Sequence, residues 1–358
     1  MKTCIKCLLS TEIPGVTVED NGLCSVCIDY DKQYGNWKSY KQEQSTKLEN
    51  ILDKARAKKG IYDVLVPISG GKDSTYALYI CRKKFNLKCL AVTWDNGFLT
   101  DHARLNIRKA CTLLGVDHLY YGLSKPLLMK LYRYFFLKTG FFCPVCMRGI
   151  GTAIFRTQRA FNIPLTIMGT SARTEEYVNS AYFIDGNYSF LENVLADSPL
   201  LKEAEVLLTP MGLFSSPPAI KLPDYMDWDY NLIYRTIANE LRWTAHSPDA
   251  EHSDCEVDNI VHYIRYIKFP ALVPEMLRFS KLVTCGQLDR KEAEMRVTQK
   301  KSSLKEPSNL SFFLNALDIS KDEMDSILSD PMRHMKYTKQ RSRVLRRLKA
   351  LKKRLLPM

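Results

Sequence analysis

The sequence predicts an α/β fold: a parallel sheet with helices on both faces, preceded by a small cysteine ribbon and followed by a helical region. Three observations carry this. Between residues 62 and 168, short apolar runs rich in β-branched residues alternate with helix-length segments, the pattern of strands joined by crossover helices. Two Cys-x2-Cys pairs fall within the first 27 residues. From about residue 215 the pattern turns to Pro-rich loops and then helices, with no internal repeat.

In chain order, residues 1–35 form the ribbon. The charged stretch NWKSYKQEQSTKLENILDKARAK (36–58) reads as a helix linking it to the next unit. YDVLVPI is a buried strand, followed by a helix from Asp73 to Lys84. LKCLAVTWD is a second strand, with a helix from Asp101 to Leu114 after it. DHLYYGL is a third, followed by a helix through Phe136. After Cys146 another helix runs to about Phe161 and leads into a fourth strand, PLTIMGT. Residues 59–214 thus form the sheet unit, 215–300 a helical region for substrate or partner, and 301–358 a basic helical tail. In parallel sheets ligands sit beyond the carboxyl ends of the strands. Both SGGKDS (69–74) and GTSARTEE (169–176) begin at such ends.

The net charge of +13 is unevenly placed. Eleven Lys/Arg and no Asp or Glu fall between Arg333 and Arg354, which leaves +2 for the rest of the chain. That argues against a nucleic-acid surface spread over the whole fold. No apolar run is long enough to span a bilayer, and the start MKTCIKCLLSTEIPG lacks the apolar stretch of a secretion signal. A cytoplasmic protein is expected, so its eleven cysteines are expected to be thiols or metal ligands and not disulfides.

The glycines of SGGKDS let the backbone approach an anion closely, and the N–H groups at the start of the following helix favour negative charge. Ser69 and Ser74 add hydroxyls. A Walker A loop would need glycine five residues before Gly71, where the chain has Val66, and the pattern is not G-x-G-x-x-G either. The stretch resembles the PP-loop, Ser-Gly-Gly-x-Asp-Ser, of the ATP pyrophosphatase superfamily, with its adenine nucleotide alpha hydrolase-like fold. In that superfamily the loop holds the β,γ-pyrophosphate of ATP while a substrate oxygen attacks the α-phosphate. The resemblance implies phosphate contacts by Ser69, Gly70, Gly71, Asp73 and Ser74, with Lys72 offsetting charge. It implies adenosine contacts at the end of the second strand, Thr93-Trp94-Asp95-Asn96, and at Gly169 and Thr170. Mg²⁺ is expected with ATP, because the leaving pyrophosphate needs charge neutralisation.

Cys4-x2-Cys7-x16-Cys24-x2-Cys27 has the spacing of a four-cysteine zinc site on two knuckles. Four thiolates leave no open coordination position, so its role is expected to be structural. A second set lies in FFCPVCMRG, Cys143 and Cys146, with Cys255 in EHSDCEVDN. The residues alone leave open a zinc pair, a redox dithiol, or a zinc site that adds His252. Sulfur-inserting PP-loop enzymes that act on tRNA have a C-x-x-C after the third strand, one later cysteine, and a 4Fe-4S cluster with an open iron. CPVCMRGIGTAIFRTQRA resembles their C-x-x-C helix, which implies the same catalytic role for Cys143, Cys146 and Cys255.

Over roughly residues 1 to 298 the chain resembles the N-acetyl sugar amidotransferases of surface-polysaccharide biosynthesis. The ribbon, YDVLVPISGGKDSTYAL, CPVC, LRWT, VHYIRYIKF and CGQLDRKEAEMRV carry the resemblance. It implies conversion of an acetamido to an acetamidino group on a nucleotide- or lipid-linked sugar, with ammonia from a glutaminase partner and catalysis involving Lys72 and Asp73. The alternative is a sulfurtransferase, with tRNA or a small molecule as acceptor. After the fourth strand the family tends to read Trp-Gly-Glu, whereas this chain has Met168-Gly169-Thr170 with Glu175 and Glu176 following. Residues 301–358 lie outside this resemblance. In SRVLRRLKALKKRLL, Val344, Leu345, Leu348, Leu351 and Leu355 share one helical face among Lys and Arg. Such a helix suits peripheral contact with anionic lipid or an acidic partner.

Overall fold

The computed structural model describes residues 1–35, 37–174, 188–196, 198–208, 218–245 and 254–338. Glu175, Glu176, His252 and the amphipathic tail face lie outside the described residues. The strands are β1 (Val64–Pro67), β2 (Cys89–Asp95), β3 (Asp117–Gly122), β4 (Leu165–Met168) and β5 (Ala219–Lys221). The helices up to the fourth strand are α1 (Ser25–Tyr34), α2 (Trp37–Arg56), α3 (Lys72–Tyr79), α4 (Asp101–Leu114), α5 (Lys125–Thr139) and α6 (Cys143–Ala160). After it come α7 (Tyr188–Leu195), α8 (Glu205–Leu208), α9 (Tyr230–Leu241), α10 (Asp258–Lys268), α11 (Met276–Thr284), α12 (Arg290–Ser303), α13 (Leu310–Leu317) and α14 (Lys321–Leu328).

The sheet is all parallel, in the order β3-β2-β1-β4-β5. The strand order reverses between β1 and β4, so their carboxyl ends flank the point where such sheets bind ligands. Successive strand residues face opposite sides. Leu65, Leu90 and Val92 join one core, with Tyr132 and Phe135 of α5, Val145 and Ala153 of α6, and apolar residues of α10 and α13. Val64, Val66, Cys89 and Ala91 join the other, with residues of α2, α3, α4 and α9. Both faces are thereby covered, as the sequence predicts.

Several boundaries differ from expectation. The helix after β1 ends its α-helical part at Tyr79 and continues as a π-helical turn, Ile80–Lys84. The helix expected after Cys146 starts at Cys143, so the C-P-V-C motif is its first turn, with Pro144 where proline is preferred. The sheet does not end at residue 214. Its fifth strand is Ala219–Lys221, and Ile233, Ile237 and Leu241 of α9 pack into the same core. Three residues are too few to show strand periodicity. Leu48, Leu52 and Ala55 of the helix expected as a linker are buried in that core too.

The ribbon packs on the C-terminal helices. Its cysteines, Leu9, Ile13 and Val16 share a core with Phe269, Leu272 and Leu277. No helix among the described residues is long and apolar enough to cross a membrane.

Candidate functional site

The loop between β1 and α3 is held in shape from within and from behind. Gly70 has φ 86°, and a Cβ there would lie 2.6 Å from the Ala103 carbonyl oxygen, so only glycine fits. Its own carbonyl accepts a 2.8 Å bond from Trp243 Nε1. Ser74 Oγ accepts from Ser69 N at 3.2 Å and donates to the Gly71 carbonyl at 3.1 Å. The Ser69 and Ser74 hydroxyl oxygens are 3.2 Å apart. Gly71 is the N-cap of α3 and has no side chain to cap it, which leaves the first N–H groups of the helix for an incoming anion.

Asp73 is fixed on both oxygens. Lys72 Nζ pairs with Oδ2 at 2.6 Å and Trp228 Nε1 donates to Oδ1 at 2.8 Å. Lys72 also sits 4.4 Å from the centre of the Tyr230 ring. Gly169, at the end of β4, abuts this turn so closely that a Cβ would lie 2.3 Å from the Asp73 carbonyl oxygen. Thr170 is exposed. Gly169→Ala is expected to push α3 away from β4 and cost about 1–3 kcal/mol, the usual range for overpacking. Thermal melting and ATP binding, measured together, check this.

At the end of β2 the expected adenosine contacts are mostly engaged elsewhere. Thr93 is 2% exposed; its hydroxyl donates to the Ile68 carbonyl at 2.6 Å and lies 2.8 Å from His118 Nε2. It ties β1 to β3 and is not presented to a ligand, a correction to the sequence reading. Burial pulls His118 down to about 4, so its ring is neutral near pH 7. Asp95 pairs with Arg104 at 3.0 Å and accepts from Gly97 N at 3.1 Å. Asn96 Oδ1 accepts from Phe98 N at 2.8 Å.

Cys143, Cys146 and Cys255 pack against the core that contains the buried Tyr132. Trp94 lies against α6, where a Cβ on Gly149 would meet its ring at 2.2 Å. That approach brings Cys146 to the end of β2, within reach of Tyr132, Asn96 and Trp94. Burial pushes the Cys146 thiol up to about 11 and raises Cys255 as well. Cys255 arrives from far along the chain through an antiparallel bridge to Leu99. Among the described residues, however, only Cys4, Cys7, Cys24 and Cys27 form a group of three or more ligating side chains close enough to hold a metal ion.

Those four sulfurs all lie within 4.8 Å of one another and all four residues are buried. Backbone N–H groups of Lys6, Cys7 and Cys24 point at Cys4 Sγ, that of Leu9 at Cys7 Sγ, and that of Cys27 at Cys24 Sγ. Such bonds favour thiolates. Bonding to Cys24 and Cys27 pushes Cys7 far up, while bonds with Cys24 and Cys7 hold Cys27 low. The set cannot ionise fully without a cation between its members. Cys4–Cys27 and Cys7–Cys24 are 3.8 and 3.6 Å apart, which fits a tetrahedral ion with bonds of about 2.3 Å.

Sequence reasoning gave Trp228, Trp243 and Asp254 no role. All three reach the loop from beyond residue 225, and the LRWT motif that contains Trp243 was the one hint. An intact Ser-Gly-Gly-x-Asp-Ser turn at the carboxyl edge of a helix-covered parallel sheet is the arrangement that the PP-loop resemblance predicts. Residues 240–352 match the family described as LPS biosynthesis protein WbpG-like, C-terminal domain. The match covers about a third of the chain and agrees with the surface-polysaccharide resemblance of the sequence. The match takes in most of the basic tail, which the sequence reading had left outside the resemblance; that reading followed short motifs, and the tail is marked only by composition.

An uncharacterized protein of Methanocaldococcus jannaschii is 32% identical over 97 residues, 26% of this chain and 34% of that protein. The chain thus spans about a third of the length of that curated relative. Among solved structures, NMN synthetase from Francisella tularensis is similar at 13% identity and TM-score 0.37, over 75% of this chain and 98% of that one. The tRNA thiolase NcsA from Methanococcus maripaludis, solved with its 4Fe-4S cluster, is similar at 13% identity and TM-score 0.35, over 87% and 91%. At these scores neither carries functional detail to this chain.

Proposed function

We propose that the protein is an ATP-dependent amidotransferase that converts the acetamido group of an N-acetyl sugar into an acetamidino group. The observation that carries this is the match of residues 240–352 to the WbpG-like domain in a chain that also has an intact Ser-Gly-Gly-x-Asp-Ser loop. The amide oxygen of the sugar attacks the α-phosphate of ATP and pyrophosphate leaves. An amide carbon resists ammonia until its oxygen is a good leaving group, and adenylation makes it one. Ammonia then adds to that carbon and AMP departs with the oxygen.

The residues have separable tasks in this reading. Gly70, Gly71, Ser69 and Ser74 cradle the pyrophosphate at the start of α3. Asp73, braced by Lys72 and Trp228, would help hold a magnesium ion, which would neutralise the developing phosphate charge. Zinc in the ribbon is structural: its four-thiolate donor set is closed. A glutaminase partner supplying ammonia, a cytoplasmic location and contact of the basic tail with anionic lipid accompany the proposal. The sulfurtransferase reading is not favoured, since the matching domain is one of LPS biosynthesis.

Incubation with ATP, Mg²⁺, ammonia and a nucleotide-linked N-acetyl sugar should yield AMP and pyrophosphate in equal amounts, each dependent on the sugar. Release of ADP and phosphate would rule out adenylation.

A further inference from the structure

A carboxylate stands where the loop is built to receive an anion. Asp254 is some 180 residues from the loop in sequence, yet its Oδ2 lies 3.8 Å from the position a Cβ on Gly71 would take. Its backbone is firmly placed. Thr100 N donates to the Asp254 carbonyl at 3.1 Å, Glu256 N donates to the Phe98 carbonyl at 2.8 Å, and Cys255 bridges Leu99. The chain after β2 therefore carries Asp254 to the rim of the loop.

Among the described residues, Asp73 and Asp95 already have protein partners. Asp73 is paired with Lys72 and bonded by Trp228, and Asp95 is paired with Arg104. Among the described residues the Asp254 carboxylate has no ion pair and no hydrogen bond, and it stands beside Gly71. A fixed negative charge beside a phosphate-binding turn opposes a bare polyphosphate. The opposition becomes attraction when a divalent cation lies between them. Mg²⁺ is commonly held by one or two carboxylates together with the oxygens of substrate phosphates.

We infer that Asp254 is a ligand, direct or through water, for the divalent cation of the bound nucleotide, and that it makes ATP binding depend on that cation. The inference rests on the nucleotide reading of the loop. It also gives Cys255 a simpler task, to hold the neighbouring Asp254 at the rim through its bridge to Leu99.

The test is equilibrium binding of ATP to the full-length protein by calorimetry, with EDTA and with Mn²⁺, supported by the electron paramagnetic resonance signal of Mn²⁺. Wild type should bind ATP more tightly with Mn²⁺. Asp254→Asn should bind ATP with EDTA at least as well as wild type and lose tenfold or more of the gain from Mn²⁺. Asp254→Glu should retain most of the gain, which shows that a loss in the Asn variant is not misfolding. An Asp254→Asn variant with the full gain overturns the inference and leaves the adenylation proposal standing. Wild type that binds no ATP in either condition overturns both.

Discussion

Replacing Cys24 with serine should remove about one metal ion per chain and release the helices α11 and α12 from the ribbon. The ribbon is anchored to them at several points. Thr284 Oγ1 lies 3.4 Å from Cys27 Sγ, and Arg290 donates to the Cys4 carbonyl at 2.7 Å. Lys281 is 6% exposed, with its amino group 5.1 Å from the centre of the Tyr30 ring. Burial pulls its pKa down and the thiols of Cys285, Cys27, Cys7 and Cys24 push it back up. Four thiolates around a divalent ion carry a net charge of about −2, and Lys281 is the buried cation placed to offset it. A ribbon of this size cannot bury enough apolar surface to fold alone. Structural zinc in small domains supplies on the order of 10 kcal/mol, so the effect of losing it is large. Metal analysis and hydrogen exchange across residues 276–303 read it directly. Lys281→Met should keep the metal but bind it about 10- to 100-fold more weakly, as expected for groups behind the ligands. Full metal content in Cys24→Ser would refute the site.

Asp73→Ala should lower ATP turnover by at least about 100-fold, the usual result of removing one group that stabilises charge in the transition state. It also frees Lys72 and Trp228, which now hold the carboxylate from two sides. Trp228→Phe separates the two effects. The phenyl ring can still pack edge-on against Tyr76, as the indole does at 5.1 Å, while the hydrogen bond to Asp73 is lost. Bonds to charged groups contribute about 1.5–3 kcal/mol, so turnover should drop about tenfold or more with little change in melting temperature. Single-turnover assays beside thermal melts check both variants.

What the sequence made legible was local. The strand-and-helix alternation, the PP-loop and the two cysteine knuckles each depend on residues within a few tens of positions, and spacing alone reveals them. The bracing of the loop was not legible, because Trp228, Trp243 and Asp254 reach it from more than 150 positions away. A tryptophan N–H bonded to a loop carbonyl looks in sequence like any core tryptophan. Thr93 misled for a related reason. Its position at a strand end suited a nucleotide contact, but its side chain turns into the sheet, where His118 and the Ile68 carbonyl occupy it. The environment of Cys146 in α6, beside Tyr132, Trp94 and Asn96, appears only once the chain is folded.

In the proposed reaction the acetamido oxygen is activated by transfer to the α-phosphate. A nucleotide-linked N-acetyl sugar carrying a heavy-oxygen label in its acetamido carbonyl tests this most directly, with the products of ATP and ammonia analysed by mass spectrometry. The label should leave the sugar and appear in the phosphate of AMP, one atom for each acetamidino group formed. Unlabelled AMP, or label retained in the sugar product, would contradict it.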